Sequence, residues 1–379
     1  MTPRKNLQNL VGQMFIVGFN GYSVPSEFKT FMQQYNLGGT IYFKRNVQSP
    51  GQLAELSNEL QFNCLPRDAP PVFISIDHEG GKVNRLVKPF TKFPGNDYLG
   101  ELGSPKIGFE FGMVLGKELK AVGINVNYAP VIDVRTNRDN AIIKNRAFSA
   151  DPEVCGRLGS AVCRGIQKMG VIAVAKHFPG HGDTKDDSHF TLPKLNKSEA
   201  ELEKVELIPF RRVIRSRVEG LMTAHILNTA LDPKYPATLS EKTLDGILRK
   251  QLRFSRVLFS DDMEMKAIAD HFPAGEAAVL AVNAGVDCLI YRGDTKLPFE
   301  AIEAVIKAVE NKTIPLEKIE AANQRIQTAK KLYAEQKSPI DVTEVGNYIG
   351  LPEHFQLADV ITKKELPKGI EADTETSYG

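Results

Sequence analysis

Residues 151–177 read DPEVCGRLGSAVCRGIQKMGVIAVAKH, and this stretch decides the fold. Asp151 offers a helix cap, Pro152 suits the first helical position, and Gly170 stops the helix. The run from Val171 to Ala175 is continuously apolar, as in a parallel strand covered on both faces, and it leads into Lys176-His177. A helix of this kind followed by such a strand is one unit of an alternating chain.

The alternation extends in both directions. Strand-like runs lie at 14–19, 40–43, 72–77, 124–128, 171–176, 220–225, 257–261 and 287–291. Helical segments fall at 26–36, 50–62, 107–122, 152–169, 198–218, 240–252, 273–284, 298–311 and 315–335. Ser26 is a cap-type residue before the first of these, and Ser198-Glu199-Ala200-Glu201 reads as a capping box. Eight βα units predict an α/β fold of the closed (β/α)8 TIM-barrel type, in a single domain. A doubly wound open sheet is the alternative, but no Gly-x-Gly-x-x-Gly follows the first strand. The expected boundaries are a catalytic barrel over 1–340, a helical extension packed on it over 341–366, and a disordered polar tail over 367–379.

Composition narrows the function. With 42% hydrophobic and 25% charged residues, the 379-residue chain has an ordinary globular make-up. A formal net charge of +2 argues against a nucleic-acid partner, which demands clustered positive charge. No apolar run approaches membrane-spanning length, so no membrane insertion is expected. The basic start at 1–5 and the apolar run at 10–19 are interrupted by Gln13 and lack a small-residue cleavage site, so a cytoplasmic protein is expected. Cys64, Cys155, Cys163 and Cys288 form no C-x-x-C pair and read as small buried hydrophobes in a reducing compartment. The absence of Trp removes the usual platform for stacking a sugar chain.

Barrel active sites lie at the C-terminal ends of the strands. Those ends read Asp77-His78-Glu79, Asp133, Lys176-His177, His225, Asp261-Asp262 and Tyr291-Arg292. Burying a charge without a partner is costly, so apolar strands that almost all run into titratable residues at one end imply a polar mouth. Asp133 suits either an Arg partner or a ligand contact in the cavity. His78 and His225 suit pocket lining or support, and His271 and His354 suit surface or packing positions.

The segment 176–189 holds three of the chain's seven His and opens a long loop whose Gly-rich start suggests a hinge. His177, His181, Asp183, Asp187 and His189 are all metal-ligand types, but His177 and His181 flank Phe-Pro-Gly and cannot share a helix face. No metal is therefore expected. Asp187 and His189 are spaced so that a turn lets the carboxylate hold the imidazole, which suits acid/base chemistry. A solvated polar loop fits the spacing equally. At 260–262, Ser-Asp-Asp offers Asp261 as nucleophile, base or ligand, while Asp262 fits a helix cap better.

These residues resemble the β-N-acetylglucosaminidases of glycoside hydrolase family 3. The resemblance rests on 176–183 with Asp187-Ser188-His189, on Ser260-Asp261-Asp262-x-x-Met265, on Ile76-Asp77-His78-Glu79-Gly80-Gly81-Lys82-Val83-x-Arg85, and on Asn145-Arg146-x-Phe148 before Asp151-Pro152. The four motifs run in order and the similarity covers about the first 340 residues. Lys82 stands where Arg is common, and Asp183-Thr184 lies where members vary.

The resemblance implies a retaining exo-enzyme that removes terminal N-acetylglucosamine from a small glycoside, such as a muropeptide in cell-wall recycling, with no cofactor. It implies Asp261 as the nucleophile and His189, paired with Asp187, as acid/base. It implies Asp77, Arg85, Arg146, Lys176 and His177 as residues that hold the sugar. Phosphorolysis at the same site is the first alternative, because a neutral His does not repel phosphate. A β-glucosidase or β-xylosidase ranks lower, since members with those activities carry a second domain that supplies a Glu. A non-catalytic glycan- or metal-binding barrel is the remaining reading. A pocket for one terminal sugar needs no stacking platform, which reconciles the missing Trp with a sugar substrate.

Overall fold

The computed structural model describes residues 3–66, 68–185, 187–188, 191–293, 295–367 and 370. Eight strands meet in a closed, all-parallel barrel: β1 (Phe15–Gly18), β2 (Gly39–Tyr42), β3 (Phe73–Ile76), β4 (Val126–Asn127), β5 (Ile172–Phe178), β6 (Gly220–Thr223), β7 (Val257–Asp262) and β8 (Cys288–Tyr291). Each strand pairs with its neighbours in chain order, and β8 closes on β1 through Phe15↔Leu289 and Ile16↔Ile290. The eight expected strands and the barrel are thus as the alternation predicts.

β4 is shorter than expected. Its backbone bonding continues at Asn125 and Tyr128, but Pro130 has no N–H to donate to a ladder. Beyond it the chain rejoins β5, with Ile132 donating to the Lys176 carbonyl at 2.8 Å. That detour carries Asp133 toward the barrel mouth.

The barrel interior is filled by side chains. Phe73 and Phe259 approach across it with ring centroids 6.2 Å apart, and Tyr128 meets Phe259 edge-on at 5.6 Å. The Tyr128 hydroxyl donates to Ser75 at 3.0 Å, so the one polar tip in this layer is satisfied. Emptying such a site, as in Phe259→Ala, costs about 3–5 kcal/mol. Lys330 lies at the other end of the interior, buried over the Phe73 ring, with its ammonium donating to Gln13 at 2.8 Å.

Helices cover the outside much as the periodicity predicts. Pro152–Lys168 starts with Asp151 accepting the Glu153 N–H, and Pro50–Phe62 is capped by Ser49. Three expectations need correction. The segment 198–218 is two helices, Glu199–Lys204 and Leu207–Arg215, because buried Glu206 turns to Lys197 at 2.6 Å between them. Its capping box of Ser198 and Glu201 is present. Ser26 is the first helical residue rather than a cap, since Pro25 precedes it with extended backbone. A helix at Pro3–Gly12 occupies a segment that composition left unassigned.

Beyond the last barrel helix, a short turn (Val342–Tyr348) and a helix (Pro352–Lys363) run along the outer wall. Buried Glu118 of the helix Pro105–Ala121 anchors them, accepting from Gly350 and His354 at 2.9 Å each. The same carboxylate accepts from Thr91 in the loop after β3. Of the expected disordered tail, only 367 and 370 fall among the described residues. The four cysteines are buried and free, and no helix among the described residues is long and apolar enough to cross a membrane.

Candidate active site

The polar strand ends converge at one mouth of the barrel. A cavity of about 130 Å³ there is lined by Asp77, Glu79, Arg85, Arg146, Lys176, His177, His181, Ser188 and Asp261, with Val83 and Ile142 as apolar wall. Larger cavities exist elsewhere. The one of about 570 Å³ beside Val72, at the start of β3, has Glu335 as its one titratable group among the described residues.

Lys176, at the end of β5, is nearly fully buried and reaches two carboxylates at once, Asp77 and Glu79, each at 2.7 Å. Arg146 grips Glu79 from the other side in a two-pronged bond, Nε to Oε2 at 2.9 Å and Nη2 to Oε1 at 2.8 Å. Two carboxylates therefore face two cations. Burial pushes the Glu79 carboxyl up, but Arg146 and Lys176 outweigh it and hold it far below the usual carboxylate range. Burial likewise disfavours the Lys176 ammonium, and Asp77 and Glu79 outweigh it, leaving the cation more firmly protonated than usual. Asp77 keeps one carboxylate edge half-buried toward the cavity.

The loop after β3 returns through a tight turn. Gly80 and Gly81 both have positive φ, +94° and +57°, and a Cβ on Gly81 would meet Gly95 at 3.0 Å. The Glu79 backbone N–H donates to the Val83 carbonyl across this turn at 2.9 Å, which brings Arg85 back to the cavity wall. The Arg85 guanidinium lies 5.9 Å from the Phe43 ring centre.

His177 follows Lys176 directly, and the peptide bond between them is cis. Its Nδ1 meets Asp133 Oδ2 at 2.7 Å, while Asp133 Oδ1 accepts the backbone N–H of His177 and of His181. Asp133 thus pairs with a histidine, rather than with an Arg or the cavity. Burial raises the Asp133 carboxyl, and the contacts from His177 and His181 together more than reverse this. With Nδ1 engaged, His177 Nε2 is left toward Arg146 at 3.5 Å and the cavity.

The glycines at the start of the next loop are points of close packing. A Cβ on Gly182 would lie 1.7 Å from the Val134 carbonyl oxygen. Asn140 staples the two loops by donating to the His181 carbonyl at 2.8 Å and to Thr184. His181 is buried, with Nε2 3.2 Å from Ser188, and burial and the neighbouring His177 lower it to about 4, so it is neutral at ordinary pH. Asp183 shapes the loop from outside, bonded to Thr136 and Lys197. Asp187 is half-buried in the same loop, and its carbonyl accepts from Thr191 at 2.9 Å. His189, its expected partner, lies outside the described residues.

Asp261 stands at the end of β7 in the cavity wall. Its Oδ1 accepts the Asp262 N–H at 2.8 Å, which fixes the carboxylate's orientation. Burial raises the Asp261 carboxyl, but His177, His225 and Lys176 together bring it below its ordinary value. An ionised, oriented carboxylate beside a cationic cradle can attack an electrophilic carbon or take a proton. Asp262 points elsewhere. It accepts from Glu264 N–H at 3.0 Å and pairs with Arg292, without capping the short helix Lys266–Ala269. Burial raises the Asp262 carboxyl to about 7.

The structure therefore gathers Asp77, Arg85, Arg146, Lys176, His177 and Asp261 around one cavity. Sequence reasoning gave no role to Glu79, although it stands two residues after Asp77 and so on the same side of an extended chain. The pairing of Asp133 with His177 had no local signal, because they lie 44 positions apart.

Residues 6–329 match the model of the glycosyl hydrolase family 3 N terminal domain. A beta-hexosaminidase A of Pseudoalteromonas piscicida is 33% identical over 88% of this chain, and the chain spans 60% of that protein. A beta-hexosaminidase of Alkalilimnicola ehrlichii is 35% identical over 77% of this chain and 83% of its own length. A family 3 beta-N-acetylglucosaminidase structure from Paenibacillus superposes with a TM-score of 0.89 at 37% identity, covering 96% of this chain and 69% of that one. The Neisseria gonorrhoeae NagZ structure, in complex with N-trifluoroacetyl-D-glucosamine, gives 0.74 at 29% identity, covering 93% and 97%.

Proposed function

The chain belongs to glycosyl hydrolase family 3, and from that membership we propose that it is a retaining exo-β-N-acetylglucosaminidase acting on small glycosides such as muropeptides. The observation that carries the reading is Asp261, ionised and oriented in the same cavity as the cradle of Asp77, Arg85, Arg146, Lys176 and His177. The names of the similar proteins, and the N-acetylglucosamine analogue bound by one of them, support the sugar's identity.

In the proposed cycle Asp261 attacks the anomeric carbon, while protonated His189 gives its proton to the departing glycosidic oxygen. The bond to the aglycone breaks and a glycosyl ester forms on Asp261. Neutral His189, oriented by Asp187, then takes a proton from water, which attacks the same carbon and releases the sugar with its original configuration. The half-buried edge of Asp77 suits a pair of sugar hydroxyls as acceptor, and Arg85, Arg146 and Lys176 suit the donor role around them. A cavity of about 130 Å³ supports one terminal sugar rather than a polysaccharide.

The test is a panel of aryl β-glycosides, with and without phosphate, in which the first-formed anomer is followed by NMR. The reading expects turnover of the N-acetylglucosaminide with the β anomer released first. Sugar 1-phosphate in the phosphate arm would assign phosphorolysis instead. An α anomer as first product, or preference for the glucoside, would overturn it.

A further inference from the structure

We infer that His225, which no step of the proposed cycle uses, is a positioning residue for Asp261, acting through the peptide at the end of β7. This rests on the reading of Asp261 as nucleophile. His225 follows β6 and is fully buried. Its Nε2 lies 2.9 Å from the Asp262 carbonyl oxygen, and a carbonyl only accepts, so Nε2 carries the hydrogen. Its Nδ1 lies 2.8 Å from the Thr238 hydroxyl, which also meets the Thr223 hydroxyl at 2.8 Å and the Ala224 carbonyl at 3.0 Å. All three side chains are buried, so the imidazole is locked in one orientation.

The residue held by His225 through its carbonyl is the one whose N–H bonds Asp261 Oδ1 at 2.8 Å. The same carbonyl also accepts the Met265 N–H at 3.0 Å from the following turn, and the Asp262 side chain accepts from Glu264 N–H and pairs with Arg292. The imidazole therefore clamps the β7 end from the β6 side. Loss of the clamp lets the Asp262 residue, and with it the Asp261 carboxylate, turn away from the line of attack. A misplacement on the order of 1 Å costs roughly 100-fold in rate.

The experiment compares His225→Leu, His225→Gln and His225→Asn with the wild type and Asp261→Ala on an aryl β-N-acetylglucosaminide. The Gln amide nitrogen occupies the place of Nε2 and can still donate to the Asp262 carbonyl, whereas the shorter Asn amide cannot reach it. His225→Leu should lose kcat by roughly 100-fold with KM within about twofold, and His225→Gln should recover about tenfold of that loss. If the Leu variant fails to fold, the Gln variant should still exceed the Asn variant in kcat by about tenfold. Equal kcat for Gln and Asn, or a folded Leu variant at wild-type kcat, would overturn the inference while an inactive Asp261→Ala leaves the nucleophile in place. Wild-type turnover by Asp261→Ala would overturn the nucleophile and the inference together.

Discussion

Replacing Glu79 by Gln changes one oxygen for one amide nitrogen and removes a charge from the centre of the cradle. In the native site Glu79 takes three short contacts, one from Lys176 and two from Arg146. Glu79 and Lys176 are each about 2% exposed and Arg146 about 15%, so water screens little of the change. After substitution Lys176 keeps Asp77 at 2.7 Å, Arg146 loses the carboxylate it grips, and one prong of the Gln side chain presents N–H groups to a donor. Removing one partner of a buried ion pair costs about 3–5 kcal/mol, a large part of the roughly 5–15 kcal/mol that keeps a domain folded. Urea unfolding followed by far-UV circular dichroism measures the loss, since the chain has no Trp to report by fluorescence.

The pH dependence of that loss is also fixed. Against the pull of burial, Arg146 and Lys176 hold the Glu79 carboxyl well below its ordinary value of 4.5. A depressed carboxylate stabilises the fold fully above its unfolded pKa and loses that contribution as pH falls through the folded value. The difference between wild type and Glu79→Gln should be level from pH 8 to about 5.5 and shrink only below about 4.5. A difference under about 1 kcal/mol at pH 7 would refute the reasoning, because an exposed pair contributes no more than that.

Asp133→Asn keeps the size of the residue but not the charge that holds His177 Nδ1 at 2.7 Å; kcat/KM for the aryl N-acetylglucosaminide should fall about 10–100-fold, judging from comparable supporting carboxylates. Burial, reinforced by Arg85 at His78 and by His177 at His181, lowers both imidazoles from 6.5 to about 4. Unfolding therefore takes up protons between those values, and stability present above pH 6.5 should be lost toward pH 4, by up to roughly 3 kcal/mol for each fully buried ring. Thermal unfolding of His181→Asn should show a shallower acid slope over that window. Glu118→Ala removes the common acceptor for Thr91, Gly350 and His354, so amide hydrogens in 342–363 should exchange faster while those of the barrel strands stay protected.

The barrel was legible because each unit carries its own punctuation. Asp151 and Pro152 start a helix, Gly170 ends it, and the apolar run to Ala175 admits no other reading than a covered strand. The helix Pro3–Gly12 was missed although Thr2-Pro3 is a cap-type residue before a proline, because the turns that follow mix polar and apolar residues and the buried face emerges only against the barrel. Site residues at strand tips, Asp77, Lys176 and Asp261, announced themselves by ending apolar runs on a charge. Asp133 could be listed but not assigned, because its partner His177 reaches it only through the β4–β5 contact across Pro130. The Gly-rich start of the following loop could not show its packing role from sequence. Glycine permits motion, but at Gly182 it serves close approach to the Val134 backbone.

The most direct test of the account is to map the covalent intermediate. The enzyme is mixed briefly with a fluorinated N-acetylglucosaminyl donor whose second step is slow, and the protein is digested and sequenced by mass spectrometry. The account predicts one added glycosyl unit per chain, carried on Asp261 and absent from Asp261→Ala. An adduct on another carboxylate, Asp77 or Asp262 among them, or turnover of the donor with no adduct at any time, would contradict it.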